Sequence, residues 1–144
     1  MDNTDKNIIN ILQKNGRATI KEIGAEVGLT SPAVSERIHR LEDNEVIKGY
    51  AAEIDLNKLG KGISAYVNVD VYPKKYDLFC KFCEETDAII EHHHIIGVHN
   101  SLLRVAVKDS SELEVLLSHI KDYGISQTSV LLKSYFTHKD IKNI

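Results

Sequence analysis

The chain has 144 residues, of which 42% are apolar and 27% are charged, and its net charge is −3. These values are typical of a globular protein with one ordinary domain or two small ones. No stretch approaches about 18 consecutive apolar residues, and the N-terminal residues are polar, which argues against a membrane span or a leader and predicts a cytoplasmic protein.

Positive charge is not concentrated in either half of the chain. Residues 1–61 carry 9 Lys and Arg against 10 Asp and Glu, and residues 62–144 carry 9 against 11. Charge alone therefore does not favour a nucleic-acid partner, and any DNA binding has to come from the local placement of cations.

The N-terminal residues predict two short helices. Apolar residues recur at helical spacing from Ile8 onward, which indicates a first helix with one buried face. Thr19 and Glu22 have the spacing of a capping box, in which each side chain satisfies a backbone N–H of the other, so a second helix begins near Ile20. Gly28 ends this helix.

The next stretch, "TSPAVSERIHRLEDNEVIKGY", predicts a third helix. Ser31 followed by Pro32 is typical of a helix cap and a first-turn proline. Val34, Ile38 and Leu41 fall on one stripe, so the opposite face is free. Three helices with a tight turn between the second and third match a helix-turn-helix, although an ordinary three-helix bundle has the same pattern.

The period of the pattern changes after residue 46. Residues 46–56 predict a strand pair or an extended arm, which would be a wing, followed by a linker at 57–62. Strict alternation then predicts a strand at 63–71. The remaining elements are a helix at 74–86, strands at 89–96 and 102–108, a helix from Ser110 and a last strand through 127–136. The order β-α-β-β-α-β is ferredoxin-like.

At these residues the sequence resembles a known family. The stretch "DKNIINILQKNGRATIKEIGAEVGLTSPAVSERIHRLEDNEVIKGYAAEIDLNKLG" is similar to the winged helix-turn-helix of the Lrp/AsnC transcription regulators. The resemblance implies an α+β fold in which an N-terminal DNA-binding domain at 1–60, with its helix-turn-helix at about 20–40, is joined to a C-terminal ferredoxin-like domain at 61–144. In the family, the second domain binds an effector and forms oligomers.

The resemblance also implies the residues that contact double-stranded DNA. Those expected to face the major groove are Ser31, Pro32, Ala33, Ser35, Glu36, His39 and Arg40. Arg37, Lys48 and Lys21 are expected to be phosphate or structural partners. The alternative for each of these residues is a solvated surface residue, since helix charges are commonly solvated.

The loop between the second and third predicted strands is the candidate effector site. It carries Gly97, Val98, His99 and Asn100, at the place where the family forms an amino-acid pocket between dimers. Asn100 stands where the family often has an aspartate, and an amide supplies no charge for an α-ammonium group. A plain hairpin turn explains the same residues.

The first predicted strand also suggests how the chain assembles. Its alternation places Tyr66, Asn68 and Tyr72 on the face opposite the apolar one. In the family this face packs against a partner, and the homodimers assemble into octamers or larger discs.

Two clusters contain the residue types of a metal site or a redox site, but their predicted placement on a strand and a helix does not favour either chemistry. On a strand, His92 and His94 share a face and His93 lies on the other, with no third ligand in register. The pair Cys80 and Cys83 lies inside a predicted helix, where packing is favoured over redox chemistry. We expect no metal, no cofactor other than a possible amino-acid effector, and no membrane partner.

The sequence therefore predicts a sequence-specific DNA-binding transcriptional regulator that is modulated by a small effector and is not an enzyme. Two alternatives stay open. One is an architectural protein that bends or wraps DNA, and the other is a haem-pathway decarboxylase built on the same two-domain plan.

Overall fold

The computed structural model describes residues 1–142 and contains three helices followed by an α+β half. The elements are α1 Asn3–Lys14, α2 Ile20–Val27, α3 Ser31–Asp43, β1 Ile63–Val71, α4 Tyr76–Glu85, β2 Ile89–His94, β3 Ser101–Val107, α5 Ser110–Ile120 and β4 Gly124–Val130, with a short 3₁₀ turn at Pro73–Lys75 before α4. By packing, the chain forms two compact units. Unit 1 comprises Met1–Glu53 and the tail that begins at Phe136, and unit 2 comprises Ile54–Tyr135. The domain division at residues 60 and 61 stays a prediction.

Unit 1 is built from α1, α2 and α3 around a small apolar core. The core side chains are Ile8, Ile23, Val34, Ile38 and Leu41. The capping box of α2 is confirmed, since the Glu22 N–H donates to the Thr19 hydroxyl and the Thr19 N–H donates to the Glu22 carboxylate. Gly28 ends α2 in the left-handed conformation, with φ of 71°.

The turn between α2 and α3 depends on a second glycine. A Cβ at Gly24 would lie 2.6 Å from the Leu29 carbonyl oxygen, so no larger residue fits where the turn crosses α2. The predicted cap of α3 was wrong by one residue, because the extended residue before the helix is Thr30 and Ser31 already lies in the first turn. Pro32 lies in the first turn, as predicted.

The segment after α3 is an extended arm rather than a strand pair. No strand is present between α3 and β1 in the described part of the chain. Instead, the N–H groups of Val46 and Ile47 both donate to the Leu41 carbonyl, and Glu45 adopts a φ of 55°. The arm therefore turns sharply at the end of α3 and runs along the surface of unit 1.

Unit 2 is a four-stranded antiparallel sheet in the order β2-β3-β1-β4, which confirms the ferredoxin-like prediction. One face is buried through Ala65, Val67, Val69 and Val71 of β1, and it packs against side chains of α4 and α5. The sheet is thus covered by helices on one side.

The last strand is earlier than predicted. It spans Gly124–Val130, whereas the sequence pattern placed it through residues 127–136. Its pairing begins where Gly124 lies opposite Val71, at the end of β1, and ends where Val130 lies opposite Ala65, near the start of β1. The limits of β4 are therefore set by the length of its partner and not by its own pattern.

Candidate DNA-binding and effector sites

The two faces of α3 differ as the sequence predicts. Val34, Ile38 and Leu41 are buried against the other two helices. The residues predicted to contact DNA are exposed or half-buried: Ser31, Pro32, Ala33, Ser35, Glu36, Arg37, His39 and Arg40. Helix α3 is therefore anchored by one stripe while small, hydroxyl and cationic side chains remain accessible on the rest of its surface.

The two arginines of α3 are tied to the start of α1. The Arg37 guanidinium donates to Asp5 at 2.7 Å and to Asp2 at 2.8 Å, and the Arg40 guanidinium donates to Asp5 at 3.2 Å. The Arg37 side chain is only 25% exposed, whereas that of Arg40 is 55% exposed. Arg37 thus has a structural partner, and Arg40 keeps enough freedom to reach a second one.

Asp2 and Asp5 were missed by the sequence analysis, although "DNTD" carries the signal. The two residues form a capping box at the start of α1, and the Asp5 side chain is buried. The backbone N–H of Asp5 and the guanidinium of Arg37 lower the pKa of Asp2 to about 2. Burial opposes ionisation of Asp5, but bonds from the Asp2 N–H and Arg37 lower its pKa overall.

These lowered pKa values predict acid sensitivity in unit 1. A carboxylate whose pKa is lower in the folded state contributes stability that is present above its unfolded value of 3.8 and is lost as pH falls toward about 2. We expect the free energy of unfolding of unit 1, measured by urea titration, to fall over this interval. Asp2→Asn should flatten the dependence, and an unchanged slope would contradict the assignment.

The two lysines predicted to contact phosphates lie outside α3. Lys21 is exposed in the first turn of α2, and Lys48 is exposed on the arm. The arm is held to α3 because the Tyr50 hydroxyl donates to Glu42 at 3.0 Å. Partial burial and then the Glu42 carboxylate raise the pKa of Tyr50 to about 12, so this donor keeps its proton. Lys48 therefore lies between two attachments of the arm to α3, the backbone bonds of Val46 and Ile47 before it and the Tyr50 hydroxyl bond after it.

The candidate effector loop connects β2 to β3. Gly97 and Val98 are exposed, and His99 and Asn100 are half-buried. The Asn100 side chain is occupied, because its oxygen accepts from the Val71 N–H at 2.9 Å and its amide donates to the Val71 carbonyl at 3.0 Å. Asn100 thus fastens the loop to the end of β1, a role that its place in the sequence does not reveal.

Replacing Asn100 tests this pairing. Asn100→Asp keeps an acceptor but sets a carboxylate against the Val71 carbonyl, so we expect a loss of about 1–3 kcal/mol in unfolding free energy. Urea unfolding followed by circular dichroism measures it. Asn57→Asp, in an exposed turn of the same unit, is the matched control, and equal effects of both changes would refute the role.

The histidines of β2 lie on both faces of the sheet. His92 and His94 share a face, as predicted, and the structure shows that this is the face covered by helices, whereas His93 lies on the other face beside Glu91. The His92 ring contacts Phe79 and the hydroxyl of the buried Ser101, and burial lowers its pKa. Within residues 1–142, no three His, Cys, Asp or Glu side chains are grouped to hold a metal.

The cysteines behave as packing residues. Both are free thiols; Cys83 is buried in the core of unit 2 and Cys80 is half-buried. Burial, followed by the proximity of Cys80, raises the pKa of Cys83 to about 12. The reactive thiolate form of Cys83 is therefore strongly disfavoured.

The sheet face away from the helices is partly charged. Tyr66 and Asn68 are half-buried on it, and Arg104 donates to Glu91 at 2.9 Å beside Tyr66. The Nε of Arg104 is buried and has no hydrogen-bond partner among residues 1–142. No helix among the described residues is long and apolar enough to cross a bilayer.

Both halves of the chain are similar to known protein domains. Residues 1–42 match the AsnC-type helix-turn-helix domain, and residues 64–141 match the Lrp/AsnC ligand binding domain. The uncharacterized HTH-type transcriptional regulator YezC of Bacillus subtilis is 36% identical over 138 residues, which cover 96% of this chain and 98% of YezC.

Two solved structures have the same fold. Bacillus subtilis LrpC superposes with a TM-score of 0.89 at 28% identity, covering 96% of this chain and 99% of LrpC. A feast or famine regulatory protein from M. tuberculosis, complexed with L-methionine, superposes with a TM-score of 0.90 at 26% identity, covering 97% of each chain.

Proposed function

Since the chain belongs to the Lrp/AsnC family of DNA-binding transcriptional regulators, we propose that α3 is its recognition helix and reads operator DNA in the major groove. The observation that carries this proposal is the division of α3 into a buried stripe and an accessible face. Its N-terminal end carries small and hydroxyl side chains, which allow close approach to base edges.

The contacts divide by chemistry. Seven residues would face base edges, with Arg40 the cation among them best suited to guanine or phosphate: Ser31, Pro32, Ala33, Ser35, Glu36, His39 and Arg40. Lys21 and Lys48 would contact phosphates on either side. Arg37, because it is held by Asp2 and Asp5, would orient the helix rather than read DNA.

The test is the substitution of Arg40 by alanine. Loss of a base or phosphate contact should weaken operator binding by about 1–3 kcal/mol, measured by fluorescence anisotropy on a promoter fragment. Because Arg40 also contacts Asp5, urea unfolding of the same variant separates lost stability from lost contact. Lys121→Ala, an exposed cation of unit 2, is the control. Unchanged operator affinity in a folded Arg40 variant would contradict the recognition helix.

An amino acid is the proposed effector. Support comes from the match to a ligand binding domain and from the relative that is complexed with L-methionine. Gly97, Val98 and His99 would line the site, while Asn100 would shape the loop through Val71 instead of holding the α-ammonium group. Promoter shift assays with and without each amino acid test this, and an effector that binds should change the affinity for DNA.

The proposed partner besides DNA is a second copy of the chain. A single recognition helix contacts few base pairs, so useful affinity favours at least a homodimer with two helices, and further assembly into octamers or larger. The helix-free sheet face with Tyr66, Asn68 and Arg104 would form the dimer contact and would give the orphaned Arg104 Nε a partner. Sedimentation velocity tests the assembly. A regulator of this kind would act in the cytoplasm without catalysis.

A further inference from the structure

The tail of the chain is fastened to the DNA-binding unit. The Gln13 side chain makes two hydrogen bonds to one tail residue, accepting from the Ile141 N–H at 2.8 Å and donating to the Ile141 carbonyl at 3.3 Å. Farther back, the Thr137 hydroxyl donates to the Glu53 carboxylate at 3.0 Å. The tail is thus held at two points, one on α1 and one on the arm.

Between these points the tail borders a concavity of about 710 Å³. Its walls are the end of α1 with the following turn, residues 12–17, and the arm, residues 49–53, and the tail contributes His138. In the chain, the first wall segment lies shortly before α2 and the second lies shortly after α3. The concavity therefore lies between the segments that flank the helix-turn-helix.

The charge around the concavity is positive although unit 1 as a whole is not. Among the residues that line it, Lys14 and Arg17 are exposed cations at the α1 wall, and Glu53, which accepts from Thr137, is the carboxylate. Local cations outnumber local carboxylates, and a concave surface concentrates their field on an anion.

We propose that this concavity is a further DNA-binding site, which takes a phosphodiester of the duplex backbone, and that the docked tail completes it. The site rests on the proposed DNA-binding function and adds contacts outside α3. Lys14 and Arg17 would pair with backbone phosphate oxygens, which carry no base identity. The site would therefore add the same affinity for operator DNA and for random DNA. The overall composition of the chain is not basic and provides no such non-specific affinity.

The salt dependence of binding to a random-sequence duplex tests the site. Each lost phosphate contact makes the slope of log affinity against log salt shallower by about 0.9. The loss of affinity between 50 and 200 mM salt then becomes about threefold smaller than in the wild type. We expect this change in slope for Lys14→Gln and again for Arg17→Gln, while Lys121→Gln in unit 2 leaves the slope unchanged. Unchanged slopes for both concavity variants, in protein that unfolds at the wild-type urea concentration, would overturn the site.

The role of the tail has a separate readout. Gln13→Ala removes both bonds to Ile141, so we expect faster hydrogen exchange at the Ile141 amide together with a lower salt slope. Faster exchange with an unchanged slope would show that the tail docks but does not contribute to binding. If the wild-type protein binds no duplex at all, the proposed function fails; if it binds and the three variants match it, only this inference fails.

Discussion

Alanine at Gly124 should disrupt the sheet of unit 2. Its Cβ would lie 2.2 Å from the Asp70 carbonyl oxygen and 2.9 Å from the Val71 Cα, distances far inside van der Waals contact. Both atoms belong to the backbone of β1, a central strand paired on both sides, so neither can move without breaking a ladder. Overpacking usually lowers the unfolding free energy by about 1–3 kcal/mol. Because the backbone atoms of β1 cannot move, we expect Gly124→Ala to lower it by about 3 kcal/mol or more.

Urea unfolding followed by circular dichroism measures this cost. Gly97→Ala is the matched control, because a Cβ there meets nothing within 4 Å and its loop is exposed. We expect the control to unfold within about 0.5 kcal/mol of wild type, as is usual for surface substitutions. A Gly124 variant as stable as the control would mean that β4 does not pair with β1 at this register.

Local signals in the sequence were sufficient for most of the fold. The Thr19 and Glu22 capping box, the left-handed Gly28 and the alternation of β1 each act within a few residues, and the structure confirms all three. The fold class follows from their order, because three helices ahead of a β-α-β-β-α-β pattern leave few alternatives.

Most of the errors and omissions involve long-range contacts; the local exceptions are the cap of α3, which is Thr30, and the capping box formed by Asp2 and Asp5 at the start of α1. The limits of β4 are decided by Val71 and Ala65 of a strand about 60 residues earlier in the chain, which no local pattern reports. Asn100 looked like a ligand-binding amide because its partner, Val71, lies 29 residues away. In the same way, the tail shows no sequence signal for its attachment to Gln13.

Helix α3 combines both cases. Its buried stripe could be read from periodicity, and the structure confirms it at Val34, Ile38 and Leu41. The partners of its arginines could not be predicted from periodicity, because Asp2 and Asp5 lie more than 30 residues upstream. Which of the accessible side chains contact bases stays a prediction.

Asp5→Ala is expected to weaken the attachment of α3 to α1. Asp5 is 2% exposed and accepts from both Arg37 and Arg40, so its removal leaves two cations that have lost their nearest carboxylate. Breaking a buried pair costs about 3–5 kcal/mol, but the two arginines are partly solvated, so we expect about 2–3 kcal/mol in the unfolding free energy of unit 1. Urea titration of the whole chain measures this loss.

The DNA-binding consequence of Asp5→Ala follows from the geometry of the arginines. Freed from Asp5, Arg37 and Arg40 gain rotamers, and the contacts that Arg40 would make become entropically more costly. We therefore expect Asp5→Ala to weaken operator binding when the protein is fully folded in the absence of urea. A double-mutant cycle should show strong coupling between Asp5→Ala and Arg37→Ala. Asp2→Ala, which changes an exposed cap in the same network, is the control and should have the smaller effect. Independent, additive effects of Asp5 and Arg37 would show that the ion pair does not set the position of α3.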